Sequence, residues 1–483
     1  MHSNPGAPVT AWGSRWTFAL ALAAVVLGVG NLWLVPPAVV AHGGGAFLLV
    51  YGLALMLAGV PVVMTELAMA RRYRQGPDRS LQAAAEAAGL HSRSLAWAGR
   101  GMLLAALLLF GLYSVLGGVS LAWLFRAALG ELRGATEASA ATLFTDFAGD
   151  AQQVVLWQVV FVGLVLAVAV RNLRMGVQSS LRTVVPLLVV LLVVMMVVAL
   201  SSGKGQEAAW SLFWPRWEDL GWYGVALAIQ LAVYSLALGV GVLMTLGSYM
   251  PGNASMPISA IGVALVDLVV TLVLGLAVTA LMLAEQVPLT SGFELVFVAL
   301  PQVFEAMAGG QLVGSLFYLV MVLLIWTSAL FTLEVVIARV TEALGGNRVL
   351  AGLIAMLPAG MAAALALSGF TRVGGVDAWA LMELVVMLVL VPVSVLALVR
   401  LAGWQLRPRQ LLAFLGVRGK GYRLWRALMA WLVPVAVMVS VVVTVVEYRE
   451  GFCRLVGTAM CGGAGLEQPV MPIEEEPHGV NIQ

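Results

Sequence analysis

Runs of about 20 apolar residues, the length of helix that crosses a bilayer core, recur from one end of this 483-residue chain to the other. Inside hydrocarbon the backbone finds no water to bond, so such runs must satisfy their own amides and carbonyls as helices. The period-2 alternation of a transmembrane β-barrel is absent. A soluble domain could not hide the apolar surface of a chain that is 61% hydrophobic and only 10% charged. The expectation is an all-α membrane protein with about eleven transmembrane helices. They fall roughly at 14–38, 45–70, 97–128, 153–170, 178–201, 221–249, 258–284, 312–340, 349–368, 379–401 and 424–446. No cleavable signal peptide is expected, because the first apolar run is long and offers no convincing cleavage site.

Basic residues set the orientation. One set of alternate loops holds Arg71, Arg72, Arg74, Arg79, Arg93 and Arg100, then Arg171 and Arg174, Arg339 and Arg348, and Arg407, Arg409, Arg418, Lys420 and Arg423. The opposite set is poorer, and Glu285, Glu294 and Glu305 share a loop with no Lys or Arg. The positive-inside bias then puts the N-terminus in the cytoplasm of a multi-pass cell-membrane protein, and an odd number of spans puts the C-terminus outside. The organisation reads as a cytoplasmic tail at 1–11, one transmembrane domain at 12–449 and an external tail at 450–483. The last of these, with Glu474-Glu475-Glu476, reads as disordered. Its two cysteines, Cys453 and Cys461, are either a disulfide permitted by an oxidising side or two free thiols.

Two spans are interrupted. The first contains Gly28-Val29-Gly30-Asn31 followed by Pro36-Pro37, and the sixth contains Leu238-Gly239-Val240-Gly241. Unwinding a helix at mid-membrane frees amides and carbonyls, which is tolerable only where they line a cavity or bind something. The sixth span begins a half of inverted topology, and paired breaks in two such halves point to a secondary-transporter binding site. Gly117 and Gly118 read instead as small residues that let helices approach closely.

Several stretches together resemble the neurotransmitter:sodium symporter family, over about residues 12–400. They are Trp12-Gly13-Ser14-Arg15, Gly28 to Pro36, Gly43-Gly44-Gly45-Ala46-Phe47, Leu67-Ala68-Met69 after Glu66, and Tyr113-Ser114. Leu238 to Gly241 with Ser248-Tyr249, Leu295 to Pro301 and Thr327-Ser328-Ala329 complete the set. The resemblance implies the LeuT-type 5+5 inverted repeat with discontinuous helices 1 and 6, and sodium-coupled uptake of a neutral amino acid or related zwitterion by alternating access. It implies two sodium ions and no organic cofactor. The first sodium would be held by the Asn31 side chain, the Val26 carbonyl, Ser235, Asp267 and the substrate carboxylate. The second would be held by Thr327 and Ser328 with the carbonyls of Ala24, Leu27 and Leu324. The substrate carboxylate would meet the freed amides near Val29 and Gly30 and the hydroxyl of Tyr113. Val25, Leu109, Val233, Tyr234, Ala237, Val240, Ser328 and Thr332 would line the side-chain pocket. These residue types suit the chemistry: unpaired amides favour an anion, and carbonyls and hydroxyls are hard ligands for a small cation.

Asp267 lies among Ala264, Leu265, Val266, Leu268, Val269 and Val270, where a lone charge costs several kcal/mol and marks a functional site. In chloride-independent relatives an acid stands one turn later, at the position held here by Thr271. The expectation is that Asp267 serves as both sodium ligand and compensating charge, so that chloride is not required. Glu66 and Glu334 read as structural, and Glu383 either lines the outer vestibule or pairs with a polar group. One departure concerns the outer gate. The family's Gly-Asn-x-Trp-Arg-Phe-Pro becomes Gly-Asn-Leu-Trp-Leu-Val-Pro, so Leu34 replaces the arginine that would pair with Asp377. Leucine supplies neither charge nor bidentate geometry. Closure by Tyr234 and apolar packing is expected, with Asp377 free to meet a cationic group of the substrate.

A proton-coupled transporter of the same fold, with Asp267 as proton carrier, and a non-transporting substrate-binding homologue remain as alternatives. An intramembrane enzyme is disfavoured: His2, His42, His91 and His478 fall in loops or termini, and no metal or nucleophile motif stands within the spans. The partners expected are the lipid bilayer and an amino-acid-like substrate, not nucleic acid, for a monomer or weak homodimer.

Overall fold

The computed structural model describes residues 12–448 apart from 91, 172–173, 368–371 and 374–375. At 174–175, 358–367, 372–373, 376–380 and 413–414 the backbone alone is described. The tails expected at 1–11 and 450–483, with Cys453 and Cys461, lie outside the described residues, as does the side chain of Asp377.

Each expected span overlaps helix. Eight helices among the described residues are long and apolar enough to cross a membrane, and a bent pair makes a ninth. The expected segment 221–249 is split into Trp217–Ser235 and Val242–Ser248, and 349–368 coincides with Arg348–Leu367. Among the described residues the architecture is all-helical apart from a short hairpin pairing Arg372–Val373 with Val376–Asp377 and an isolated bridge between Gly44 and Pro215.

The first helix starts on a capping box, in which the Ser14 hydroxyl accepts from the Thr17 amide at 3.2 Å. It ends at Val26 and resumes as Gly30–Ala41 after a 47° bend. Pro36 and Pro37 sit in the first turn of the stretch Val35–Ala41, where a missing N–H costs least. The second break is made by backbone sign: Ala237, Gly239 and Gly241 have φ of +52°, +71° and +84°. A Cβ at Gly239 would lie 2.9 Å from Val395 Cγ2 and 3.0 Å from the Val391 carbonyl, so both the φ and the space require glycine. Ala237 adopts the same region without that freedom, at a cost of about 1–2 kcal/mol.

The Gly310–Ala343 helix packs along Arg93–Leu129 at the centre of the bundle and is almost wholly buried. Ala151–Ala169 lies outside them. It approaches so closely that a Cβ on Gly117 would meet the Phe161 ring at 2.3 Å and one on Gly118 the Gln158 amide nitrogen at 2.7 Å. Both glycines thus serve the close packing expected of them. The outer helices Ala151–Ala169 and Gly176–Ser201 expose Leu156, Val159, Val190 and Val197, as a lipid-facing surface requires. Asp150 caps the first of these, accepting from the amides of Gln152 and Gln153. The Gln153 side chain and those amides hold its carboxyl below the usual range.

Candidate functional site: a carboxylate between two broken helices

Asp267 stands within the Met256–Ala284 helix and has no exposed surface. Its Oδ1 accepts from the Asn31 side-chain amide at 3.0 Å. Its Oδ2 accepts from the Tyr51 hydroxyl at 2.5 Å and from the Ser235 hydroxyl at 3.3 Å. The same Asn31 amide donates to the Val26 carbonyl at 3.0 Å. The arrangement follows from the breaks: Val26 is the last helical residue before the first, Asn31 lies just beyond it, and Ser235 is the last before the second. Three donors offset much of the cost of burying a carboxylate in apolar surroundings.

The first break leaves its backbone open. Among the described residues, the amides of Gly28, Val29 and Gly30 donate no backbone hydrogen bond, and the carbonyls of Ala24, Val25 and Leu27 accept none. An amide's oxygen and nitrogen exchange places by a half-turn of its terminal torsion. With that turn Asn31 brings its oxygen beside Val26 O and Asp267 Oδ1, while the Ser235 hydroxyl meets the other carboxylate oxygen. Such an all-oxygen set fits a small hard cation. Of the residues expected for a second cation, Leu324, Thr327 and Ser328 share one helix turn, and the hydroxyls of Thr327 and Ser328 donate to the Leu324 carbonyl at 2.8 and 3.1 Å. Their helix packs against Arg15–Val26, which carries Ala24 and leads into Leu27.

Of the expected pocket residues, Val25, Val29, Val233, Val240, Ser328 and Thr332 are buried, and Gly30, Leu109, Tyr113, Tyr234 and Ala237 are half-buried. The Thr332 hydroxyl is occupied by its own helix, donating to the Ser328 carbonyl at 2.9 Å. Leu34, expected to take part in apolar packing at the outer gate, is 40% exposed. The Tyr234 hydroxyl donates to the Met387 carbonyl at 3.0 Å and lies 3.3 Å from Thr444 Oγ1. Glu383 hydrogen-bonds Tyr448, the polar partner that one of its two readings called for.

Some residues were not legible as part of the site. Tyr51, lone in an apolar run, gives the shortest bond to Asp267. Glu66, expected near a helix end, meets the second break, where its Oε1 accepts from the Gly239 amide at 2.8 Å. Glu334 is paired with Arg348 at 2.6 Å.

The sequence model of the sodium:neurotransmitter symporter family matches residues 10–128 and 146–454. The chain belongs to that family. It is a sodium-dependent, multi-pass membrane transporter. An uncharacterized sodium-dependent transporter of Bacillus subtilis is 29% identical over 331 residues, covering 68% of this chain and 72% of that one. The sodium-dependent neutral amino acid transporter B(0)AT3 of Mus musculus is 38% identical over 65 residues, 14% of this chain and 11% of its own. In three dimensions the chain resembles MhsT in complex with L-phenylalanine, with a TM-score of 0.79 and 26% identity over 90% of this chain and 99% of MhsT. The LeuT-type fold expected of the broken helices is therefore present.

Proposed function

We propose that this protein carries a neutral amino acid or related zwitterion into the cell, coupled to two sodium ions, by alternating access. The observation that carries the reading is the buried Asp267 carboxylate, joined by hydrogen bonds to Asn31, Tyr51 and Ser235 where the two breaks meet. Sodium enters as co-substrate. Asn31, Val26, Ser235 and Asp267 hold the first ion, and Thr327, Ser328 and the carbonyls of Ala24, Leu27 and Leu324 hold the second. The free amides of Val29 and Gly30 and the Tyr113 hydroxyl take the substrate carboxylate, which completes the first sodium shell and so couples the two. The phenylalanine bound by MhsT and the neutral amino acids named for the murine relative support a zwitterion.

Asp267 brings a fixed negative charge to the first ion, and transport on this reading needs no chloride. The arginine-rich loops face the cytoplasm, by the positive-inside bias. Each sodium descending ~100 mV contributes about 2.3 kcal/mol, so two support roughly a thousandfold accumulation before their own gradient is counted.

The test is a thermal-unfolding scan of the purified protein across amino acids, in sodium and in choline. Ligands that bind the native state raise its apparent stability. At least one neutral amino acid should stabilise the protein in sodium and not in choline. Equal stabilisation in both salts would overturn sodium coupling, and uptake lost when gluconate replaces chloride would overturn chloride independence.

A further inference from the structure

Between Leu384 and Val446 the chain holds seven Lys and Arg side chains, from Arg400 to Arg426, and no Asp or Glu. Two helices cross in this stretch. A Cβ on Gly403 would lie 3.2 Å from Ala430 Cα, and the Trp404 indole donates to the Ala430 carbonyl at 3.2 Å. Beside the crossing opens a cleft of about 400 Å³ whose walls include Trp404, Trp431, Tyr422, Arg423 and Arg426. The two indole rings stand 5.0 Å apart, 55% and 67% exposed. Arg426 is half-buried, and its Nη1 is steered by the Tyr422 hydroxyl at 2.8 Å. Arg423 is exposed and forms no ion pair among the described residues.

We propose that this cleft binds the phosphate headgroup of an anionic phospholipid. A guanidinium matches phosphate oxygens in a fork, and a second beside it raises the local positive potential. Exposed tryptophans sit at the level of lipid headgroups, where one face is apolar and the other wet. Leu424, 60% exposed next to Arg423, gives acyl chains a surface to follow into the bilayer. A free phosphate would use the arginines and leave these apolar groups idle; a phospholipid uses both. A zwitterionic headgroup also brings an ammonium, and no carboxylate lines the cleft to receive it. The orientation proposed above serves only to place the lipid in the cytoplasmic leaflet.

The test is quenching of tryptophan fluorescence in the full-length protein, reconstituted into phosphatidylcholine vesicles, by brominated phosphatidylglycerol against brominated phosphatidylcholine. The component lost in a W404F/W431F variant reports the cleft. For the wild type it should favour phosphatidylglycerol by on the order of fivefold per arginine. The preference should vanish in R423Q/R426Q, survive in R423K/R426K to within a few-fold, and persist in R407Q/R409Q, which removes nearby charge but not the cleft. Equal quenching by both lipids in the wild type overturns the proposal, as does a preference retained in R423Q/R426Q, which would mark a diffuse surface potential. Loss of the preference when inorganic phosphate replaces chloride at equal ionic strength would assign the cleft to the free anion instead. None of these readouts depends on sodium or amino acid, so failure here leaves the transport reading standing.

Discussion

Replacing Asp267 by Asn keeps the size of the side chain and one carbonyl oxygen but removes its charge. The carboxylate accepts three hydrogen bonds, at 2.5, 3.0 and 3.3 Å. Hydrogen bonds to a charged acceptor are roughly twice as strong as neutral ones, yet the unpaired carboxylate also carries a desolvation cost that asparagine escapes. These terms oppose each other without sodium, so the substitution should leave the ligand-free protein as stable as the wild type to within about 1 kcal/mol. With sodium the balance tips. A unit charge about 4 Å from the cation contributes ~4 kcal/mol at an effective dielectric of about 20. Allowing for the retained carbonyl, sodium affinity should fall by about 3 kcal/mol, on the order of a hundredfold. The assay is the sodium concentration that half-maximally stabilises the protein at saturating amino acid. Chloride should partly restore binding in the variant and not in the wild type, because the Tyr51 and Ser235 hydroxyls are then free to donate to an anion. A variant whose sodium affinity stays within threefold of the wild type would refute the assignment of Asp267 to the first ion.

The Arg348–Glu334 pair offers a second test, since both arginine nitrogens reach a carboxylate that is only 1% exposed. Arg348→Gln should destabilise the protein by about 3–5 kcal/mol, and adding Glu334→Gln should recover most of it; a denaturant midpoint unmoved by the single change would show that the buried charge is otherwise met. At the second break, Gly239→Ala forces a side chain into a φ of +71° and onto Val395 and the Val391 carbonyl. It should cost about 2–4 kcal/mol and most of the uptake, whereas Gly262→Ala, with open space around it, should change neither; equal uptake by the two variants would show that the break tolerates a β-carbon.

What could be read in the sequence was whatever the bilayer enforces locally. Span length, the helical state and the two interruptions follow from backbone hydrogen bonding in hydrocarbon, and each depends on adjacent residues only. Asp267 was legible for a related reason, because a carboxylate in an apolar run is anomalous wherever it lies in space. Tyr51 was not. A tyrosine in a span is common, and nothing near it in sequence says that its hydroxyl meets a carboxylate 216 residues away. Glu66 shows the same limit: its position suggested a helix end, while its bond to Gly239 spans 173 residues.

The same limit is widest at the outer side of the first span. Leu34 announces the loss of an arginine, and we propose that a hydrogen-bonded chain spread over three helices distant in sequence closes the outer side in its place. Tyr234, at the second break, reaches Met387 and Thr444. One turn earlier Gln230 donates to Thr444 Oγ1 at 2.9 Å and to Glu447 Oε2 at 3.3 Å, and Tyr223 donates to Glu447 Oε1 at 3.4 Å. The Met387 carbonyl belongs to the π-helical turn Val385–Leu390, a geometry that leaves a backbone acceptor open to a side chain. A bidentate ion pair holds two helices through one contact of high energy. A chain of neutral and singly charged hydrogen bonds, each worth about 0.5–1.5 kcal/mol net, holds three helices and releases them one bond at a time. The gate proposed here should therefore open with less dependence on ionic strength than an arginine–carboxylate latch, and its moving parts lie on the sixth, tenth and last spans rather than on the first.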